Sequence, residues 1–530
     1  MGLINLIKRL PNGVKAQILG SEATKIIRYS FVNSDDDALP SDILNEAVAL
    51  HAGIMLVNKS RNRELLIEYI DEEDLQSLGF GENSTNIFDE AIKFYKKNVN
   101  QFMEDFHIEE EYRRIEVQDS RKSWGYVTPI YGKCNGTLAF PHPYQLRLKK
   151  DLTSHLMAPV NYDTNKSLLT MPTGSGKTVL AMETIVDLFR LHYAKTPLNI
   201  CWLVNSVELA EQSLESFQKL WKQKGDRMIM AQRYFNRFNK LNEEKVSKIT
   251  FATFQLLTKR LIRREKEDIN YISNVDYLFI DEAHFTGAEE YRKVFKFYKD
   301  NNDNAKIIGL TATPLRSEDD DFSSLRGMFN HYLRLKDESY KEVDSPIEYL
   351  QKRKYLSILN FHVLNQAIEN KKSKKDDMSG YYKDLHESVK NACENVIEKK
   401  QNTIIFAESK SHAIALSLYL RSKGIENKLI VGETPMANRK EYIEQLGDKD
   451  HDLCVLVNER ILSTGIDVPG LNSIMVLSEI DSITSCLQIL GRAMRGPKNG
   501  GNKINTVYLT KDNKNKLENF KILEGEALNN

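Results

Sequence analysis

The segment KSLLTMPTGSGKTVLAME, residues 166–183, constrains the fold more than any other stretch of the chain. Its apolar start predicts a strand ending at Met171, Pro172 to Gly176 a loop, and Lys177-Thr178 the opening of a helix. Glycines at 174 and 176 let backbone N–H groups turn inward, and a helix N-terminus adds its partial positive charge, so the loop is shaped for phosphate oxygens. In that reading Thr173, Gly174, Ser175 and Gly176 form the cradle, Lys177 reaches the β and γ phosphates of ATP, and the Thr178 hydroxyl ligates Mg2+. The pattern departs from G-x-x-x-x-G-K-[ST] at its first position, where Met171 replaces glycine.

The segments that follow supply the sheet such a loop needs. NICWLVN, KITFAT, DYLFIDEAH and AKIIGLTATP alternate with amphipathic helical stretches, which predicts a parallel sheet carrying its functional loops at the carboxyl ends of the strands. A second series, NTIIFAES, NKLIVG, DLCVLVN, SIMVLSEI and NTVYLT, starts near residue 402 and predicts a second domain of the same class. Between them, residues 316–400 read as charged and mostly helical, with KKSKKDD (371–377) as a solvated loop. The N-terminal part offers GIMLVN (53–58) as a candidate strand and NIFDEAIKFYKKNVNQFMEDF (86–106) as a candidate helix, hence an α+β domain with no motif of recognisable chemistry. Its acidic runs SDDDALPSD (34–42) and DEEDL (71–75) read as solvated surface. The expected division is 1–135 accessory, 136–335 and 336–515 as the two sheet domains, and 516–530 as a tail.

Composition narrows the class further. No apolar run is long enough to span a bilayer, and the start MGLINLIKRLPNG has no long apolar core followed by a cleavage site, so a cytoplasmic protein without a membrane partner is expected. The five cysteines form no C-x-x-C pair, which argues against a disulfide framework or a zinc or iron–sulfur site. The net charge of zero hides an asymmetry: residues 1–135 hold 16 Lys+Arg against 22 Asp+Glu, and the remainder 58 against 52. Polyanion binding is therefore expected outside the N-terminal part.

YLFIDEAHF (277–285) brings two acids to the tip of a strand about 100 residues after the phosphate loop. There Asp281 can hold magnesium and Glu282 can orient and deprotonate an attacking water. In QILGRAMRG (488–496), Arg492 and Arg495 fall three apart on one helix face, as suits a guanidinium that stabilises charge on a phosphoryl in transfer.

Taken in order over residues 140–496, these motifs resemble those of the superfamily 2 helicases and translocases with a DEAH box. The resemblance implies two tandem RecA-like domains that hydrolyse ATP with Mg2+ between them and move along nucleic acid. FPHPYQLR (140–147) resembles the segment whose glutamine reads adenine, implicating Gln145, with Phe140 or Tyr144 packing near the base. WLVNSVELAEQ (202–212) and FATFQ (251–255) resemble motifs that line the nucleic-acid backbone, implicating Thr253 and Gln255. Asn205 and Ser206 stand where relatives often carry Pro-Arg, which bears on nucleic-acid grip. GLTATP (309–314) resembles the coupling motif, with Thr311 and Thr313 in that role and His284 as its link. IIFAESKSHA (404–413) and LVNERILSTGIDVPGLN (456–472) resemble second-domain motifs, implicating Ser409 and Thr464 for nucleic acid and Gly465 and Asp467 for the nucleotide. QILGRAMRG resembles the Q-x-x-G-R-x-x-R motif, adding Gln488 to the catalytic set with Arg492 and Arg495.

With 35 residues after Arg495, the C-terminal domains of the RNA-directed DEAH enzymes are not expected. Its TATP and STGIDVP instead resemble the DNA-repair, phage recombination and restriction-type translocases, so DNA is favoured over RNA. The alternatives are an RNA remodeller and a partner-gated ATPase in a repair or defence complex, the acidic N-terminal domain being the docking module.

Overall fold

The computed structural model describes residues 2–32, 39–81, 86–113, 123–130, 141–160, 165–192, 196–263, 265–283, 289–312, 327–364, 390, 401–448, 451, 453–459, 468 and 470–519. The chain divides into two compact units, one comprising 120–357 with 482–499, the other 1–119, 358–481 and 500–530.

The 120–357 unit is built on β1 (Trp124–Val127), β2 (Lys166–Thr170), β3 (Asn199–Val204), β4 (Ile229–Tyr234), β5 (Lys248–Thr253), β6 (Tyr277–Ile280), β7 (Lys306–Thr311) and β8 (His331–Leu333). Their order across the sheet is β1-β4-β5-β3-β6-β7-β2-β8, with every neighbouring pair parallel except β1, which runs antiparallel to β4. Helices bury both faces of the inner strands, so β5 is buried at all six positions and β3 at five of its six. That is why NICWLV and KITFAT read as continuous rather than alternating apolar runs. Helix Lys177–Leu191 packs against helices Pro143–Met157 and Val207–Lys224, where the buried Glu183 carboxylate pairs with Lys149 (3.1 Å) and Lys224. Helices Phe254–Ile262, Lys266–Ser273 and Glu289–Asn301 cover a second core, formed by Phe254, Leu257, Ile272, Val294 and Tyr298 against Leu203, Leu278 and Ile280.

The other unit contains a parallel sheet of β9 (Ile358–Val363), β10 (Thr403–Phe406), β11 (Asn427–Ile430), β12 (Val455–Asn458), β13 (Ser473–Val476) and β14 (Ile504–Leu509), ordered β11-β12-β10-β13-β14-β9. Its helix Lys410–Ser422 is buried from His412 through Leu420. Helices Ser21–Phe31 and Ser41–Asn58 of the N-terminal part pack onto it, and one apolar core runs from Leu3, Val48 and Leu56 through Ala413, Leu416 and Leu420 to Ile405 and Val457. Polar contacts rim this junction: Glu111 pairs with Lys428 at 2.7 Å, and Ser409 Oγ donates to Glu22 Oε1 at 3.4 Å.

Two parallel-sheet bodies are as expected; within 1–135 the described strand is β1, whereas the strand expected at GIMLVN needs correction. The described residues up to 113 form helices only, and GIMLVN lies inside helix Ser41–Asn58. That helix is buried on more than one side, Gly53 lying directly beneath the Tyr112 ring, so its apolar run has no helical stripe to betray it. The stretch 86–106 is two helices, Ile87–Tyr95 and Val99–Asp105. DEEDL is partly paired, Arg9 reaching Asp71 at 3.0 Å and Asp74 at 2.5 Å. The described part of 316–400 holds β8, β9 and helix Pro346–Lys352, while KKSKKDD lies outside the described residues. Among the described residues no helix is long and apolar enough to cross a membrane.

Candidate active site

The loop after β2 has the expected form. Gly174 and Gly176 adopt φ of +76° and +84°, backbone that side chains other than glycine's rarely tolerate. Gly176 is the N-cap of helix Lys177–Leu191 and provides no side-chain cap, so the first turn keeps its N–H groups for another acceptor. The Ser175 hydroxyl turns back to Pro172 O at 2.6 Å, stiffening the loop. Among the described residues the buried Thr173 Oγ1 has no hydrogen-bond partner, a polar atom suited to a ligand. Lys177, at 7% exposure, is held at the same helix start.

Asp281 and Glu282 follow β6 on the same carboxyl edge of the sheet. Thr178 Oγ1 donates to Asp281 Oδ2 at 3.2 Å, so the helix start and the strand tip share one site. Burial, reinforced by the Glu282 charge, raises the Asp281 carboxyl well above its ordinary range, against the pull of Lys177 and Thr178. A carboxylate so placed calls for positive charge beside it. Thr178 Oγ1 and the Asp281 carboxylate offer the hard oxygen donors that suit a magnesium ion completed by phosphate and water. Glu282 sits at φ +52°, and its N–H donates to Asp281 Oδ1 at 3.0 Å. A non-glycine residue held there is strained, a condition that gathers at working sites. Thr311, fully buried at the end of β7, pairs across from Thr170, and its carbonyl receives the Met171 N–H at 3.1 Å.

Gln145 lies on the opposite flank of the loop. Its Nε2 donates to Ser175 O at 2.9 Å, while its Oε1 receives the His142 N–H at 2.8 Å. Tyr144 OH donates to the same Ser175 carbonyl at 2.8 Å. A Cβ on Gly176 would come within 2.5 Å of Gln145 Nε2, a second reason for glycine at that position. The segment thus touches the phosphate loop directly, beyond any role with a base.

The arginine-bearing helix Ile483–Arg492 belongs to this same unit. Its end abuts the loop: a Cβ on Gly174 would lie 3.3 Å from Gly491 O, and one on Gly491 would collide with Thr173. Gln488 is buried, and among the described residues its Nε2 has no partner. Arg492 ends the helix, and Arg495 Nε donates to Asn499 O.

The other expected residues are more scattered. Thr253 ends β5 opposite Val204 of β3, and Gln255 Nε2 donates to Asn205 O at 2.6 Å, so the two segments expected to line the nucleic-acid backbone join on one sheet edge. Ser206 caps helix Val207–Lys224 by accepting the Leu209 N–H at 3.2 Å. Ser409 lies in the other unit, where its hydroxyl receives the His412 N–H at 3.2 Å. Phe140, His284, Thr313, Thr464, Gly465 and Asp467 lie outside the described residues. Sequence reasoning missed Tyr355 and Asn499, which pack around His142, because nothing local in YLS or PKNGG marks them.

Comparison with known proteins gives a consistent picture. Residues 140–316 match the family model described as type III restriction enzyme, res subunit, and residues 387–497 the helicase conserved C-terminal domain. The chain is 24% identical to the protein named as helicase 22 of the Sulfolobus islandicus filamentous virus, over 72% of this chain and 69% of that one. It is 23% identical to the protein named as ATP-dependent helicase IRC3 of Saccharomyces cerevisiae, over 66% and 49% of the respective chains. To the type I restriction enzyme EcoKI endonuclease subunit of Escherichia coli it is 24% identical, over 62% and 31%. The chain therefore spans about half or less of the length of two of these three relatives.

Proposed function

The chain is a superfamily 2 helicase related to the restriction-type translocases, and from that premise we propose that it hydrolyses ATP at the carboxyl edge of the β1–β8 sheet and uses turnover to move along DNA. The observation that carries this reading is the meeting of the uncapped Lys177 helix start with Asp281 and Glu282, through the 3.2 Å Thr178 to Asp281 contact.

In this reading the loop N–H groups and the Thr173 hydroxyl bind the phosphates, and Lys177 meets the β and γ groups. Glu282 orients the attacking water and accepts its proton. Arg492 and Arg495 face the charge that develops on the γ-phosphoryl. A magnesium ion held by Thr178 and Asp281 would neutralise charge on the phosphate oxygens. Thr253 and Gln255 line the track, with Ser409 and Thr464 contributing from the second sheet domain, and His284, Thr311 and Thr313 relay turnover to that grip. Gly465 and Asp467 complete the nucleotide site. We read 136–335 and 336–515 as the two RecA-like motor domains, with 1–135 as an accessory region and 516–530 as a tail. DNA is favoured because restriction enzymes recur among the matched models and relatives.

The test is steady-state ATPase activity without nucleic acid and with single-stranded, duplex and forked DNA and RNA, using Glu282→Gln as the blank. Stimulation by one DNA form supports the proposal, stronger stimulation by RNA reverses the choice of track, and equal rates in all of them refute nucleic-acid coupling. Lys177→Ala is expected to lower turnover by about a thousandfold with folding intact.

A further inference from the structure

Four side chains outside the reacting set tie the glutamine-bearing segment to the arginine-bearing one. His142 Nε2 lies 2.6 Å from Asn499 Oδ1. With the imidazole donating there, the Asn499 amide is oriented so that its Nδ2 donates to Tyr355 O at 2.8 Å. The Asn499 backbone carbonyl accepts from Arg495 Nε. Tyr355 supports the arrangement from below. It is 6% exposed, with its ring centroid 4.6 Å from that of His142 and 4.8 Å from that of Tyr144, and Lys498 Nζ sits over its face at 4.3 Å. The backbone reinforces the link, since Gly496 N–H donates to Tyr355 O and Ser357 N–H to Met494 O at 2.9 Å, and Leu356 bridges to Arg495.

At the other end, His142 is fixed to the nucleotide loop. Its N–H is held by Gln145 Oε1, and both Gln145 and Tyr144 grip the Ser175 carbonyl. A continuous path therefore runs from Ser175 through Gln145 and His142 to Asn499 and the Arg495 guanidinium, and each link is a hydrogen bond with a defined partner.

We infer that His142 and Asn499 are positioning residues that hold the Arg495 turn in register with the phosphate loop, so that the segment expected to read the base also sets the aim of the arginines. This rests on the ATPase reading of the site. Arg495 supplies charge to the transition state, and its usefulness depends on sub-ångström placement. A tether acting only through that placement changes the rate of the chemical step more than the binding of ATP.

The experiment is a double-mutant cycle in the full chain, with nucleotide turnover measured across ATP concentrations and thermal midpoints recorded for every variant. His142→Ala and Asn499→Ala are each expected to lower kcat about tenfold with KM for ATP within about twofold, and the double variant to lose no more than either single one. His142→Gln, which keeps a side-chain donor, is expected to recover most of the loss. Losses that multiply in the double variant, single variants with wild-type kcat, or a rise in KM at unchanged kcat would each overturn the inference. Lys177→Ala separates the two levels. If that variant retains turnover, the site reading itself fails, whereas if it is inactive and the cycle is multiplicative, only the tether fails.

Discussion

The helices that follow β2 and β10 begin alike and end up with opposite uses. Each is entered from a parallel strand through a tight loop, so each presents a row of unpaired N–H groups at its start. At Lys177–Leu191 the cap is a glycine in the left-handed region with no side chain to offer. At Lys410–Ser422 the cap is Ser409, whose hydroxyl takes the His412 N–H while donating to the Glu22 carboxylate. The second helix start already carries an anion from its own chain, and the first has no side-chain cap, as the proposed phosphate site requires. In that proposal one fold element serves as a binding site or a structural joint according to a single cap residue and its neighbour.

The sharpest way to break the contrast is to give the first helix a cap like the second. Gly176→Ser forces a side chain onto φ +84° and against Gln145 Nε2, and is expected to lower ATP turnover by about a hundredfold or more, read in a steady-state assay. Next in size is the joint itself. Leu416→Ala opens a void in the core shared by the N-terminal helices and the β9–β14 sheet, and is expected to cost about 3 kcal/mol in denaturant unfolding. Ser409→Ala should cost about 1 kcal/mol of stability by removing the cap. If it also weakens nucleic-acid binding in a salt titration, Ser409 serves the track as well as the helix.

The smallest expected effect is a pH dependence near the same joint. Burial, followed by the Lys410 charge, lowers the His51 imidazole to about 4, with Glu433 and the Ile18 carbonyl opposing. Because the folded chain binds this proton less readily than the unfolded one, the contribution is full above about 6.5 and is lost as pH falls from there toward about 4. A His51→Gln variant should show a smaller drop in thermal midpoint between pH 7 and pH 5 than the wild type.

What was legible in the sequence follows from where information is local. The phosphate loop carries its signal within a dozen residues, as do the ten strand segments KSLLTM through NTVYLT, the DEAH strand among them, and each of the ten appears as a strand in the sheet expected for it. Four strands were not anticipated. β1 and β8 are short, β4 carries Arg233 and β9 is exposed at four of its six positions, and they become strands because a neighbouring strand supplies the hydrogen bonds. Helix Ser41–Asn58 reads as a strand at GIMLVN because burial on several sides erases periodicity. The structure brings Thr178 to Asp281 within the candidate site, where Lys177, Asp281 and Glu282 stand out by residue type and spacing. Asn499 does not, since a surface asparagine in PKNGG acquires meaning only when folding brings it to His142, 357 residues away.

The core that joins the N-terminal helices to the β9–β14 sheet has a practical corollary for anyone handling the gene. A fragment beginning near residue 136, cut to yield a minimal motor, would retain every sequence motif and yet strip Ala413, Leu416 and Leu420 of their cover. Such a product should be sticky and should collect in the insoluble fraction, with a sound nucleotide site attached to a peeled partner. Chimaeras between relatives face the same constraint: the first hundred residues and helix Lys410–Ser422 must travel together, as two halves of one moulding.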